Sequence, residues 1–300
     1  MEQIKRSFRD KPGVRWGMLF LVAFVQAANY YFYDAISPLK RNLEESFQFT
    51  NTDFGLFVSV YSIPNIFLLM CIWGGIILDR LGIRRTGFLF VFLMAGGAVI
   101  TVYGASNIYT SGGPGYRFMG SFLTDYSPEL KMMLLGRFFF GLGAETSIVV
   151  ISKIIVKWFK GKELALAFGL KIGIARAGSF AAFYFSPIIA NNAEMWNMAV
   201  WFAAMLLLIA FLAFIVYMFF DFKVDKEEGK MKLLSETEKF QAKDLIRLLT
   251  NRSFIFVTLL CMTFYSAVFP FQSFSPDFFL NKFGVRSEEH TSELQSLLII

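Results

Sequence analysis

The stretch 131-KMMLLGRFFFGLGAETSIVVISKIIVKWFKGKELALAFGLKIGIARAGS-179 decides how this chain is read. It holds two apolar segments of membrane-spanning length, and each carries an ionisable residue near its middle: Glu145 in the first, Arg176 in the second. A charge at the bilayer centre costs about 2.5–3.5 kcal/mol on insertion scales. An acid and a base both held there need a reason beyond solubility, so the pair is read as a polar site inside a membrane protein.

The rest of the chain agrees. Of 300 residues, 56% are hydrophobic, the mean hydropathy is +0.53, and the apolar residues lie in long runs. That composition is an all-α, polytopic membrane protein with the lipid bilayer as a partner. The formal charge of +6 implies no nucleic acid, because the basic residues sit in short clusters between apolar runs, where topology explains them. Cys71 and Cys261 fall inside apolar segments without metal-ligand companions, and packing explains both. No Ser-His pair, metal-ligand cluster or phosphate-binding glycine loop is visible, so no catalytic residue, metal or cofactor is expected and the chain does not read as an enzyme.

A window of about 20 apolar residues marks spans at Val14–Ser37, Phe54–Leu78, Thr86–Ser106, Lys131–Val156, Leu164–Ala190, Trp196–Phe220 and Ser253–Ser273. Basic residues gather on alternate connections, among them Lys5, Arg6 and Arg9, then Arg80, Arg84 and Arg85, then Lys157, Lys160 and Lys162. Those connections face the cytosol, with the amino terminus inside. Asn107 to Pro128 reads as an irregular outer loop. Met1 to Ala27 loosely resembles a signal peptide, but its apolar run continues to spanning length, so cleavage is not expected.

The expected organisation is a six-helix half over 1–220, a cytosolic central loop over 221–252, and the start of a second half over 253–285. Within the loop, Ser235-x-x-Glu238 reads as a capping box. Arg286 to Ser296 resembles the translation of a sequencing-adapter oligonucleotide, and 286–300 is set aside as artefact together with His290.

Between spans two and three lies Gly75-x-x-x-Asp79-Arg80-x-Gly82-x-Arg84-Arg85. Its glycine permits a tight turn, and its charges can latch the ends of neighbouring helices. Span four opens with Gly136-Arg137-x-x-x-Gly141-x-Gly143, whose small residues let helices approach closely. In order and position both motifs resemble the major facilitator superfamily. Arg137 lies ~9 Å inside the outer boundary, and Asp34 on span one is at a comparable depth. The two either pair, so that protonation of Asp34 couples to movement, or both snorkel to the interface.

A narrower likeness, to the lysosomal dipeptide transporters within that superfamily, runs from about Asn29 to Val285. It is carried by Lys157-Trp-Phe-Lys-Gly-Lys-Glu-Leu164, Phe168-Gly-Leu170, Ala175-Arg-Ala-Gly-Ser179, Ala267-Val-Phe-Pro-Phe271 and Lys282-Phe-Gly284. Asn29-Tyr30 with Asp34, and Tyr61-Ser62-x-Pro64-Asn65, fit the same pattern. Lys171 departs from it, where an uncharged polar residue is expected. The resemblance implies a carrier of two six-span halves working by alternating access on short peptides, with the substrate between the halves near the midplane. Only the first half and the opening of the second are present, so the chain reads as a fragment, incomplete for transport.

Glu145 and Arg176 fall within about one helical turn, ~5 Å, of the same depth. They form a plain ion pair, or they anchor the ammonium and carboxylate of a zwitterion. The resemblance points to these two positions as substrate anchors. Asn29, Tyr30, Tyr61 and Tyr265 are candidates to line the cavity, against packing or interfacial roles for each ring. Lys171 is turned roughly 140° from Arg176 and is open to a second acid, the cavity mouth or, slightly favoured, the cytosolic interface. Gly169, Gly173 and Ala177 form a ridge for an absent partner span.

Three function classes follow: a carrier of dipeptide-like zwitterions; a same-fold carrier of organic anions or amphiphiles, suited by the basic excess of Arg137, Lys171 and Arg176; or a non-transporting scaffold. Movement is driven by the substrate gradient alone or by protons, for which Asp34 and Glu145 are the well-placed acids. A prokaryotic cytoplasmic membrane is favoured over a lysosomal one.

Overall fold

Proline at the first helical position suits the start of a helix, where its missing N–H has no partner to lose, and an apolar run from there forms α1 (Pro12–Asp34). The structure, a computed structural model, describes residues 11–193, 195–228, 247 and 250–284. Regular elements among these are helical. The chain divides into two compact units, Met1–Leu234 and Ser235–Ile300.

In the first unit α1 leads through a 3-10 turn, Ser37–Leu39, into α2 (Lys40–Phe47), which ends on Gln48 in the left-handed region. Next, α3 (Asn51–Val60) opens on a reciprocal cap: the Thr50 hydroxyl accepts the Asp53 N–H, and the Asp53 carboxylate accepts the Thr50 N–H at 2.9 Å. Such a box satisfies two of the donors every helix start leaves open. Then come α4 (Ile63–Phe67) and α5 (Met70–Gly104).

Here the structure differs from the single second span expected at Phe54–Leu78. That interval is broken at Tyr61–Ser62 and again at Leu69, which takes φ 49°. Pro64 accounts for the first break, since its ring and missing N–H forbid a continuous helix through the preceding turn. Gly82, at φ 80° and ψ 168°, is in a region open almost only to glycine, and there α5 folds back. The Thr86 hydroxyl donates to the Ile77 carbonyl at 3.4 Å, whereas nine residues of straight helix would separate them by ~13 Å. The limbs 70–81 and 83–104 are thus the end of the second span and the whole of the third. For that reason six helices, not seven, are long and apolar enough to cross a membrane among the described residues.

The stretch 107–128, expected as an irregular loop, is more ordered than that. It contains α6 (Asn107–Thr110) and α7 (Tyr116–Gly120) around a small core of Tyr109, Met119 and Met132. After it run α8 (Pro128–Phe159), capped by the Ser127 side chain, α9 (Leu164–Asn192) and α10 (Met198–Glu228), which continues past Phe220.

Glycines set the packing. A Cβ on Gly97 would lie 2.2 Å from the Phe140 nitrogen, and one on Gly143 would lie 2.3 Å from the Met94 nitrogen. The α5 and α8 backbones therefore touch. Lipid tails give helices no hydrophobic reason to associate, so contact at this range is what holds them. On the other side Gly178 of α9 meets the Ala27 carbonyl of α1, where a Cβ would be 2.2 Å away. α1 packs between α9, α10 and α8, while α10 closes against α5.

In the second unit α11 (Arg252–Phe283) is capped by Asn251, whose side chain accepts the Ser253 N–H at 2.9 Å. It carries Pro270 and Pro276 internally and ends on Gly284 at φ 68°. The helix is longer than the Ser253–Ser273 expected. The Ser235/Glu238 capping box and the 286–300 tail with His290 lie outside the described residues.

Candidate functional site

The break between α3 and α4 puts Tyr61 at a helix end, and Gly141 lets that end reach α8. A Cβ on Gly141 would lie 2.3 Å from the Tyr61 carbonyl oxygen. One turn further along α8 is half-buried Glu145, and the Tyr61 hydroxyl interacts with its carboxyl. Tyr61 is fixed in turn by its ring, 4.7 Å from Tyr33 and 5.6 Å from Phe140.

Arg176, half-buried on α9, is held by α1. Its guanidinium carbon is 5.2 Å from the centre of the Tyr30 ring, a cation–π contact. Among the described residues Arg176 and Glu145 form no ion pair. Each anchor is engaged by a different tyrosine.

Asp34, 2% exposed near the end of α1, interacts with Ser179 and feels the charges of both Arg137 and Arg176. This carboxyl therefore joins α1 electrostatically to α8 and α9. Among the described residues Asp34 and Arg137 make no ion pair at contact, although their charges interact, and Arg137 does not snorkel. Arg137 is 1% exposed, donates from Nη2 to the Tyr33 carbonyl at 3.0 Å, and has the rings of Phe32, Tyr33, Phe57, Tyr61 and Phe140 within 5.9 Å. Its Nε and Nη1 have no hydrogen-bond partner among the described residues. Asn29 is 3% exposed, and its Oδ1 likewise has no hydrogen-bond partner among the described residues. Tyr265 belongs to α11 of the second unit, stacked 5.2 Å from Phe269.

Lys171 is not at the interface. It is 8% exposed and its Nζ donates to Ser152 Oγ of α8 at 3.3 Å, because the rotation that removes it from the Arg176 face turns it toward α8. The ridge residues Gly169, Gly173 and Ala177 are exposed.

A second cluster lies at the helix ends beside the turn at Gly82. Asp79 pairs with Lys153. Arg84 reaches Asp225 at 3.0 Å and Asp221 at 3.4 Å, and Lys157 reaches the same two acids at 2.8 and 2.7 Å. The Tyr217 hydroxyl donates to Asp221 at 2.9 Å. The turn at Gly82 thereby ties α5, α8 and α10 together, while Arg80 and Arg85 stay exposed. Arg15 and Glu163, 2.7 Å apart, join the starts of α1 and α9. The sequence nominated Asp79, Arg80, Gly82, Arg84 and Arg85 but missed Asp221, Asp225 and Lys153. The spacing of Asp221 and Asp225, four apart and on one helix face, was the available signal.

Comparison with known proteins follows the same direction. The sequence model of the Major Facilitator Superfamily matches residues 19–300. The lysosomal dipeptide transporter MFSD1 of Mus musculus is 28% identical over 294 residues, covering 94% of this chain and 58% of that protein. Its Homo sapiens counterpart is 28% identical over 282 residues, 90% of this chain and 55% of that protein. A probable chloroplastic anion transporter 2 of Oryza sativa subsp. japonica is 29% identical over 130 residues, 42% of this chain and 24% of that protein. The chain thus spans little more than half the length of the mammalian relatives it matches.

Proposed function

Because the chain belongs to the major facilitator superfamily, an integral multi-pass membrane family of transporters, we propose that it is the amino-terminal part of a carrier for dipeptide-like zwitterions. Glu145 takes the ammonium group and Arg176 takes the carboxylate through a forked contact. One observation carries this reading. Two opposite charges are held half-buried on neighbouring helices, yet each is engaged by a tyrosine instead of by the other. An ion pair existing only to reduce insertion cost would close at contact. A dipolar guest gives both charges a partner during passage.

Tyr61 and Tyr30 then serve as positioning residues, and Asn29 with its unpaired amide oxygen is a further contact. Asp34, in the field of Arg176 and Arg137, is the coupling acid: when it is protonated, less negative charge competes with the substrate carboxylate for Arg176. The cytosolic cluster around Asp79, Arg84 and Asp221 holds the helix ends that move together. The names of the mammalian relatives give no support to a prokaryotic cytoplasmic membrane and point instead to a lysosomal one.

The second reading, an organic-anion carrier, is favoured by the name of the rice relative. Against it, Arg137 is enclosed by aromatic rings and Lys171 is turned to Ser152, which leaves Arg176 as the accessible cation. Counterflow of the full-length carrier in proteoliposomes separates the two. A free dipeptide should exchange, while its N-acetyl derivative and a dicarboxylate should not. Exchange of the dicarboxylate alone would establish the anion reading.

A further inference from the structure

At one end of its helices the first unit has a partly open cavity of about 370 Å3, within the usual range of ~300–1,000 Å3 for small-molecule sites. Glu129, which lines it, precedes Glu145 by about 16 residues, or ~24 Å along α8. The cavity is therefore distinct from the central pair. Its walls come from distant parts of the sequence: Ser46, Phe47 and Gln48 at the end of α2, Asn107 in α6, Glu129 in the first turn of α8, and Trp196 ahead of α10.

The lining has one formal charge, and it is negative. No Lys or Arg contributes, and the basic residues nearest in sequence are used elsewhere. Lys131 donates to the Phe122 and Leu123 carbonyls at 2.6 and 3.3 Å, Lys40 is taken by Asn51 and Glu44, and Arg41 by Glu45. Glu129 forms no ion pair among the described residues. Its carboxylate interacts with the Tyr116 hydroxyl, which leaves acceptor positions open among its roughly four lone-pair sites. Beside it Phe47 and Trp196 meet edge to face, with ring centres 5.9 Å apart at 74°.

Favourable placement of an acid in a first helical turn explains Glu129 alone. It does not explain an aromatic pair and a cavity of ligand size around it. A carboxylate next to aromatic rings is the chemistry that recognises an ammonium group, and the one formal charge of the lining repels an anion. We infer that this cavity binds small ammonium-bearing molecules. Glu129 neutralises the charge, Trp196 and Phe47 supply ring surface, and Gln48 with the Asn107 amide oxygen bonds the remainder. The inference is independent of the role assigned to Glu145 and Arg176.

Titration calorimetry of the full-length carrier in dodecyl maltoside, with choline as probe and 3,3-dimethylbutan-1-ol as its uncharged isostere, tests it. Choline should bind saturably, and the isostere at least tenfold more weakly. Glu129→Gln and Phe47→Leu should each weaken choline at least tenfold, while Glu145→Gln should leave it unchanged. Absence of saturable binding, equal affinity for the isostere, or loss on Glu145→Gln with retention on Glu129→Gln would overturn the site. Should Glu129→Gln fail to fold, Phe47→Leu decides, and unchanged affinity in it counts against the proposal.

Discussion

The guanidinium of Arg176 rests against the ring of Tyr30, its central carbon 5.2 Å from the ring centre. The contact fixes a flexible cation of α9 to α1 without neutralising it, since an aromatic ring carries no net charge. Arg176 therefore stays available for a carboxylate.

That availability depends on the planar fork of arginine, which lysine lacks. Arg176→Lys should reduce uptake of a free dipeptide by the full-length carrier at least tenfold, about 1.4 kcal/mol. Uptake of the corresponding dipeptide amide, weak to begin with, should not change further. Equal losses for the two substrates would mean that Arg176 has a structural role only.

Gly141 and Gly173 sit on neighbouring helices in opposite circumstances. A Cβ at Gly141 would be 2.3 Å from the Tyr61 carbonyl oxygen, whereas Gly173 has nothing within 4 Å. Gly141→Ala should destabilise the fold by roughly 1–3 kcal/mol through overpacking, seen as a lower Tm in detergent. Gly173→Ala should leave Tm of the isolated chain unchanged or slightly raised, because alanine is the better helix former.

The Asp221 side chain is 1% exposed and shared by Arg84 and Lys157, whereas that of Asp225 is 33% exposed. Removing one partner of a buried pair costs about 3–5 kcal/mol, and Asp225 offsets part of that here. Asp221→Asn should consequently lower Tm more than Asp225→Asn. The reverse order would place the main restraint of the helix ends at the solvent-facing acid.

In α6, burial pushes the Tyr109 hydroxyl up to about 12, with the Glu129 charge adding to the effect. An unfolded tyrosine loses its proton near pH ~10, so between about 10 and 12 the folded chain holds a proton that the unfolded chain has released. Stability contributed by this group is complete below pH ~10 and falls as the pH rises through that window. Alkaline denaturation should be shallower in Tyr109→Phe than in the parent, and identical slopes would contradict the assignment.

Much of this was legible in the sequence. Glu145 and Arg176 announce themselves because charge is rare within apolar runs, and Gly82 because its spacing from Asp79 and Arg84 makes sense only in a turn. What periodicity cannot give is the partner. The helical rotation between Lys171 and Arg176 correctly separates them, but only the packing of α9 on α8 shows that Lys171 meets Ser152. Arg137 was open to pairing with Asp34 because sequence cannot reveal that rings from α1, α3 and α8 converge on it, nor that the Tyr33 carbonyl accepts a hydrogen bond from its Nη2. Pro64 marks a kink or local opening in the second span, but hydropathy is blind to the second break at Leu69. Lys157 was explained by topology, which left no reason to look for Asp221.

Glu145→Gln in the full-length carrier, assayed by uptake of a labelled free dipeptide, bears most directly on the central claim. Glutamine preserves the shape and the Tyr61 contact but removes the charge that meets the ammonium group. Uptake should fall at least tenfold while the protein remains folded and in the membrane. Undiminished uptake of the free dipeptide by that variant would contradict the account.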